Sequence, residues 1–153
     1  MNRLELSIDS DLGNVSLVAA AVRSVCIYLG MDPFAANQVE LCTVEAVTNA
    51  IQHAYRGQPG QLVSVIVTID IDQLRLEIVD SGTPMPEEYV KRLLHGSDVF
   101  QVRDTERASL AESGRGLQIM HDLMDAVAYT SEGGFNRLQL TRHIPSLRQV
   151  EME

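Results

Sequence analysis

Three polar residues, Glu45, Asn49 and His53, recur at every fourth position of one segment. On an α-helix this spacing places all three side chains on one stripe, while apolar residues such as Val47 and Ile51 occupy most of the remaining circumference. Because polar groups on an otherwise buried helix need hydrogen-bonding partners, a bound ligand or metal ion is one interpretation. The other is a solvated helix face with paired side chains.

The residue types on this stripe suit a metal ion bound to a triphosphate. The amide oxygen of Asn49 is a hard, neutral ligand of the kind that Mg²⁺ accepts. The carboxylate of Glu45, one turn earlier, can take a proton from a water or hydroxyl group. The imidazole of His53, one turn later, can donate a hydrogen bond to a phosphate or ribose.

A second candidate, D-S-G at 80–82, directly follows a predicted strand. A carboxylate at this place can accept hydrogen bonds from a bound ligand, and Gly82 lets the backbone approach such a ligand closely. The alternative is an ordinary turn or cap residue at the end of a strand.

A third candidate is the run Ser113, Gly114, Arg115, Gly116 and Leu117. We expect a loop here that leads into a helix beginning at about Gly116. Backbone N–H groups at the start of a helix, together with the helix dipole, bind phosphate oxygens. A flexible connector into the helix is the alternative interpretation.

The elements that must position these residues follow from hydrophobic periodicity and turn signals. Neighbouring strands joined by tight turns must be antiparallel. We therefore expect one α+β domain over 1–153, a two-layer sandwich whose mixed, mostly antiparallel sheet has helices on one face, followed by a polar tail at about 146–153. The predicted strands lie at 4–8, 62–71, 74–79, 126–130 and 137–143, and the predicted helices at 11–29, 32–55, 86–95 and 116–124.

Composition excludes several classes of protein. The formal net charge of -9 argues against direct binding of nucleic acid or of an anionic membrane surface. Lys91 is the only lysine and lies in Y-V-K-R-L-L, which fits neither a P-loop nor the strand lysine of a eukaryotic-type kinase. The N-terminus has no signal-peptide pattern, and no apolar run approaches a membrane span of ~20 residues. These features predict a cytoplasmic protein.

Taken together and in order, the three motifs resemble the nucleotide-binding boxes of the GHKL ATPases, over about residues 4–143. E-A-V-T-N-A-I-Q-H-A-Y at 45–55 is similar to the N box, D-S-G-T-P-M-P at 80–86 to the adenine-binding G1 box, and S-G-R-G-L-Q-I-M at 113–120 to the G2 box. The form of the first two boxes resembles the anti-sigma factor serine kinases within that superfamily.

This resemblance implies a GHKL (Bergerat-type) fold that binds ATP and Mg²⁺, with Glu45 as general base and Asn49 as the metal ligand. It implies an ATP lid at about 83–113, whose arginines at 92, 103 and 107 are candidate phosphate contacts. Many family members carry a threonine near adenine where this chain has G-F-N at 134–136, and Asn136 is not counted among the predicted site residues.

The resemblance further implies an ATP-dependent serine kinase that phosphorylates a STAS-domain anti-sigma factor antagonist and sequesters a sigma factor. Family members of this kind are commonly homodimers. One alternative is a non-enzymatic module that binds ATP only to switch partners. Another is a detached histidine-kinase catalytic domain, although Pro84 stands where such domains usually have a second glycine.

Overall fold

The structure is a computed structural model that describes residues 1–96 and 107–145, with the backbone alone over 107–113. Residues 97–106 of the predicted lid and the predicted tail lie outside the described residues. No helix in the described ranges is long and apolar enough to cross a membrane. In chain order the elements are β1 (Asn2–Asp9), α1 (Val15–Tyr28), α2 (Pro33–Asn49), β2 (Leu62–Ile69), β3 (Gln73–Asp80), α3 (Glu87–His95), α4 (Arg107–Leu123), β4 (Ala126–Glu132) and β5 (Phe135–His143).

The strands form one sheet in the order β1-β2-β3-β5-β4. The predicted α+β class is confirmed, with one difference in the sheet. A mixed sheet was expected, but every pairing of the described strands is antiparallel. The physical reason is that β4 runs parallel to β3 but does not touch it, because β5 returns through a hairpin and lies between them.

Alternation of apolar and polar residues along the strands gives the sheet one apolar face and one polar face. Val67, Leu76 and Leu140 stand opposite one another across three strands, and each is fully buried. The next row in register includes Glu77 and Gln139, which point to the other face and are hydrogen-bonded to each other. Since the apolar face needs cover, the helices pack on that side, as the sequence predicted.

The N-termini of the first two helices illustrate local capping. The Asp32 carboxylate accepts a hydrogen bond from the backbone N–H of Ala35 at 3.0 Å, and Pro33 occupies the first turn. The first helix was expected to begin at about residue 11. Instead, Asp11 caps a short 3₁₀ turn by accepting from the N–H of Gly13 at 2.8 Å, and α1 begins only at Val15.

The second helix does not continue as an α-helix through Tyr55, so that prediction was wrong. The α-helix ends at Asn49, and one π-helical turn spans Ala50–Ala54. In this turn the N–H of Tyr55 donates to the carbonyl of Ala50 at 3.1 Å, five residues back. Such single π turns inside helices frequently occur at functional sites. The predicted stripe is therefore regular for its first two members, whereas His53 sits on the wider turn.

The prediction of a loop before the fourth helix was also wrong. The helix begins at Arg107 rather than at about Gly116, so Gly114 and Gly116 lie inside it. Helix-favouring residues such as Ala108 and Ala111 precede the glycines and explain the earlier start. Each internal glycine costs about 1 kcal/mol relative to alanine, which leaves this part of α4 a weakly stable helix.

The Tyr55 hydroxyl joins three parts of the fold and provides a test of its packing. It donates to the carbonyl of Leu62 at 2.6 Å and accepts from the N–H of Ser81 at 2.8 Å. Tyr55→Phe leaves both backbone groups without this partner, so we expect a loss of about 1–3 kcal/mol in the free energy of unfolding, measured by urea denaturation. Tyr28→Phe is the control because Tyr28 is exposed, and it should change stability by less than about 0.5 kcal/mol. Equal effects of the two substitutions would contradict the linking role of Tyr55.

Candidate nucleotide-binding site

A cavity of about 260 Å³ opens where the end of α2, the end of β3 and the middle of α4 meet. Three predicted site residues, Asn49, His53 and Asp80, supply polar groups to its lining. The rest of the lining is largely apolar and includes Ile78, Met85, Tyr89, Leu117, Tyr129 and Leu138. Apolar walls with a few convergent polar groups are typical of small-molecule sites.

A close backbone contact joins two of the segments that line this cavity. The N–H of Thr83 donates to the carbonyl of Ala54 at 2.9 Å, which joins the segment after β3 to the end of the π turn. A Cβ atom on residue 82 would lie 2.3 Å from that same carbonyl oxygen. Only glycine avoids this clash, so the close approach that Gly82 permits in the structure is to Ala54.

The Asp80 side chain is almost entirely buried at the end of β3. Its Oδ1 accepts hydrogen bonds from Asn136 Nδ2 at 2.7 Å and from the N–H of Gly82 at 3.0 Å. Burial raises the pKa of Asp80 above its ordinary value, and these two hydrogen bonds partly oppose that rise. Both of these hydrogen bonds fall on Oδ1, and Asp80 is one of the residues that line the cavity.

Asn136 is the residue that the sequence analysis left out of the site. It is buried, and its amide donates both to Asp80 and to the carbonyl of Gly82, the latter at 3.0 Å. Its oxygen accepts from the Ser131 hydroxyl at 2.7 Å. The pairing register places Asn136 directly opposite Asp80. The sequence offered one signal for this contact, because Asp80 ends β3 and Asn136 lies near the start of β5, the strand that pairs with it.

Glu45 does not line the cavity but lies beside it, against the backbone of α4. A Cβ atom on residue 116 would lie 2.5 Å from Glu45 Oε2, so Gly116 makes room for the carboxylate. Burial raises the pKa of Glu45 above its ordinary value. A raised pKa makes a carboxylate a stronger proton acceptor, as a general base requires.

The remaining residues of the third motif are distributed around α4. Leu117 is buried and lines the cavity, whereas the side chain of Arg115 is exposed and does not. Gly114 is buried against the Arg92 guanidinium, whose Nη1 lies 2.5 Å from where a Cβ on residue 114 would be. Because both glycines are inside a helix, the predicted cradle of free backbone N–H groups is not formed in this conformation.

Arg92 is the predicted lid arginine whose side chain the structure describes. Of the other two, Arg103 lies outside the described residues, and only the backbone of Arg107 is described. Within the described part of the chain, Arg92 Nε is buried without a hydrogen-bond partner. The structure thus places one lid arginine beside the third motif.

The donor set suits a magnesium ion that is shared with phosphates. Asn49 is half-buried at the cavity and offers an amide oxygen, and Glu45 lies one helical turn away. The described residues contain no group of three or more His, Cys, Asp or Glu side chains that could hold a metal ion. Since Mg²⁺ is commonly bound by one or two protein oxygens together with substrate phosphates and water, Asn49 fits this mode rather than an all-protein cage.

Comparison with known proteins also supports a nucleotide-binding domain. The family pattern of the histidine kinase-like ATPase domain matches residues 8–142. The chain is 35% identical to the anti-sigma F factor of Halalkalibacterium halodurans over 136 residues, which cover 86% of this chain and 84% of that protein. It is 24% identical to the serine-protein kinase RsbW of Bacillus cereus over 149 residues, which cover 97% and 89%. These matches confirm the family resemblance drawn from the three motifs.

Solved structures agree on the fold. The structure of the RsbU and RsbW domains of a Mycobacterium tuberculosis protein matches with a TM-score of 0.61 at 16% identity, over 95% of this chain and 34% of that longer chain. The SiaB-SiaC complex from Pseudomonas aeruginosa matches with a TM-score of 0.57 at 13% identity, over 89% and 88%. At these identities the likeness supports the fold alone.

The raised pKa of Asp80 predicts that the folded state loses stability as pH rises. The folded state binds the Asp80 proton more tightly than the unfolded chain, so ionisation destabilises the fold as pH rises from about 4 through the raised folded value. Asp80→Asn keeps an oxygen acceptor for Asn136 and Gly82 but removes the charge. We expect its Tm to exceed that of the wild type at pH 7 and the gap to close towards pH 4.

Thermal unfolding at pH 4 to 8 checks this expectation. Asp72→Asn is the matched control because Asp72 is exposed, and its Tm should follow the wild type at every pH. A Tm for Asp80→Asn below that of the wild type at pH 7 would show that the buried charge does not destabilise the fold.

Proposed function

The chain belongs to the histidine kinase-like ATPase family, and from this premise we propose that it is an ATP-dependent serine kinase and anti-sigma factor. The observation that carries the proposal is the convergence of three motifs on one cavity. Asn49 and Asp80 line it, and Glu45 lies beside it against Gly116. A base-binding carboxylate, a metal ligand and a proton acceptor are the groups that phosphoryl transfer from ATP requires.

In this proposal the Asp80 end of the cavity takes the adenine ring. The Asp80 carboxylate, through the oxygen that neither Asn136 nor Gly82 binds, would accept a hydrogen bond from the 6-amino group, and apolar side chains such as Leu117 and Leu138 would pack against the ring. The site then prefers ATP over GTP, because the carbonyl of guanine would face a carboxylate.

The α2 end of the cavity takes the phosphates. Asn49 would hold Mg²⁺, which supplies charge neutralisation for the triphosphate when bound. Contact between phosphate oxygens and the N–H groups at 114–117 requires α4 to begin later than Arg107. The low helix propensity of Gly114 and Gly116 reduces the cost of unwinding those first turns.

Glu45 is the proposed general base. A serine hydroxyl of the partner would form a bond to the γ-phosphorus as the bond to the leaving ADP oxygen breaks, and the hydroxyl proton would pass to the Glu45 carboxylate. Burial, which raises the pKa of Glu45, strengthens this role. Most of the rate enhancement would come from positioning and charge neutralisation, as in other phosphoryl transfers.

The proposed partners are those that the family resemblance implies, and the names of two relatives, an anti-sigma F factor and a serine-protein kinase, support this proposal. The phosphate acceptor is proposed to be a STAS-domain anti-sigma factor antagonist. Its phosphorylation would release it, so that this chain, as a homodimer, is free to sequester a sigma factor. We propose that these steps take place in the cytoplasm, and none of them needs direct contact with nucleic acid.

A non-enzymatic partner switch is the second candidate, and one observation favours it. Glu45 lies beside the cavity rather than in its lining, with Oε2 close to Gly116. In that case ATP would order the chain for partner binding and no phosphate would be transferred. The role of Glu45 distinguishes the two functions.

The test is phosphate transfer from ATP to purified STAS-domain proteins, followed by mass spectrometry. Glu45→Gln should lower the transfer rate by roughly 10²–10⁴-fold because it removes the base, while the ATP dissociation constant stays within about threefold. Glu40→Gln on the same helix is the control, since Glu40 pairs with Arg23 away from the cavity. No transfer by the wild type, with normal ATP binding, would favour the non-enzymatic switch and sink the kinase proposal.

A further inference from the structure

Arg56, the second residue after the π turn, has an unusual backbone conformation. Its φ is 52°, and of the residues that the structure describes it is the only one besides glycine with a positive φ. Residues with a Cβ atom rarely adopt this left-handed region, and glycine is the usual residue where a helix ends in it. Outliers of this kind cluster at functional sites, where the surrounding structure holds them.

The backbone around Arg56 is held by hydrogen bonds that do not involve its side chain. The N–H of Gly57 reaches back across Arg56 to the carbonyl of Ile51 at 2.8 Å. Next to the end of β1, the hydroxyl of the buried Ser10 donates to the carbonyl of Gln58 at 2.6 Å. The left-handed conformation at position 56 is therefore set by the loop and not by the arginine.

The side chain of Arg56 is exposed and lines the mouth of the cavity. Of the described residues in the lining it is the only arginine or lysine, and its guanidinium forms no hydrogen bond or ion pair with another described residue. A protein with a formal net charge of -9 on average repels anionic ligands. An unpaired cation at the mouth supplies local attraction for such a ligand.

The position of Arg56 indicates which part of a nucleotide it reaches. It follows Asn49, the proposed magnesium ligand, by seven residues, which is about 10 Å along a helix axis. Ala54, two residues before Arg56, is bonded to Thr83, close to Asp80 and the proposed place of the base. Arg56 thus lies at the rim of the base end of the cavity. The phosphate nearest to that end is the one attached to the ribose.

We propose that Arg56 is a binding residue for the α-phosphate and makes the cavity discriminate nucleotides from nucleosides. The proposal rests on the proposed function, because it concerns the same nucleotide. A guanidinium can donate two parallel hydrogen bonds to phosphate oxygens. Glycine would fit the backbone at position 56 better, so the arginine is explained by its side chain. Because the α-phosphate remains on ADP, Arg56 would strengthen the binding of ATP and ADP alike and leave the transfer step unchanged.

The experiment compares AMP with adenosine, which differ only in this phosphate, as competitors that displace ATP in calorimetric titrations. The wild type should bind AMP roughly 3- to 10-fold more tightly than adenosine, as a charge pair at an exposed rim provides. Arg56→Gly and Arg56→Asn, which both tolerate a positive φ, should bring this ratio to within about twofold and leave the affinity for adenosine unchanged. Arg56→Lys keeps the charge but loses the forked donor, so its ratio should be intermediate.

Arg3→Asn is the matched control. It lowers the net charge by the same amount, but Arg3 is bonded to Glu5 on β1 and does not line the cavity, so the ratio should stay at the wild-type value. Thermal unfolding without ligand should give Arg56→Gly a Tm at least as high as that of the wild type, because glycine adopts a positive φ without strain. A loss of phosphate discrimination without a loss of stability is a result that a merely structural role would not produce.

Should Arg56→Gly be less stable than the wild type, Arg56→Asn decides the question. An AMP-to-adenosine ratio near one in the wild type, or a wild-type ratio in both uncharged variants, overturns the inference and leaves the proposed function intact. An equal loss of affinity for AMP and adenosine in these variants also overturns it, because Arg56 would then act on the nucleoside. Failure of the wild type to bind ATP overturns both proposals.

Discussion

The contact between the backbone of Ala54 and the Gly82–Thr83 segment is the constraint on which the site depends. It fixes the end of α2 against the end of β3, through the Thr83 N–H at 2.9 Å and through an approach that only glycine permits. Ala54 is the last residue of the π turn, so this contact joins the π turn directly to the segment after β3. Without it, Asn49 and Asp80 would belong to two separate surfaces rather than to one cavity.

A second layer of constraints comes from the sheet. Because β5 pairs with β3, a buried amide stands opposite the buried carboxylate of Asp80 and satisfies part of its hydrogen-bonding capacity. This pairing offsets some of the cost of burying a charge, although the pKa of Asp80 remains raised. The third layer is α4, where Gly116 lets the Glu45 carboxylate lie directly on the helix backbone. Residues of the three motifs thus contact one another in the fold, in addition to being candidate ligand contacts.

Most of the fold was predictable because its signals are local. The alternation of apolar and polar residues in β2 and β3 is set by neighbouring residues, and the structure confirms both predicted strands. The Asp32 cap of α2 is equally local. The π turn and the all-antiparallel sheet depend on tertiary contacts that no local pattern encodes, whereas the early start of α4 is explained by helix-favouring residues that precede the glycines. Asn136 was missed for the same reason, since its role arises from a partner 56 residues away. Asn49 and His53 were found from their helical spacing and Asp80 from its place after a strand, and all three line one cavity, whereas Arg115 is exposed and does not line it.

The most direct test of the central claim, that this cavity is an ATP and magnesium site, is calorimetric titration of ATP with and without Mg²⁺. It should be run on the wild type, on Asp80→Ala and on Asn49→Ala. The wild type should bind ATP more tightly with Mg²⁺, Asp80→Ala should lose at least roughly tenfold in affinity, and Asn49→Ala should lose the Mg²⁺ dependence alone. Absence of wild-type binding at millimolar ATP, or equal binding by all three proteins, would contradict the assignment of the cavity.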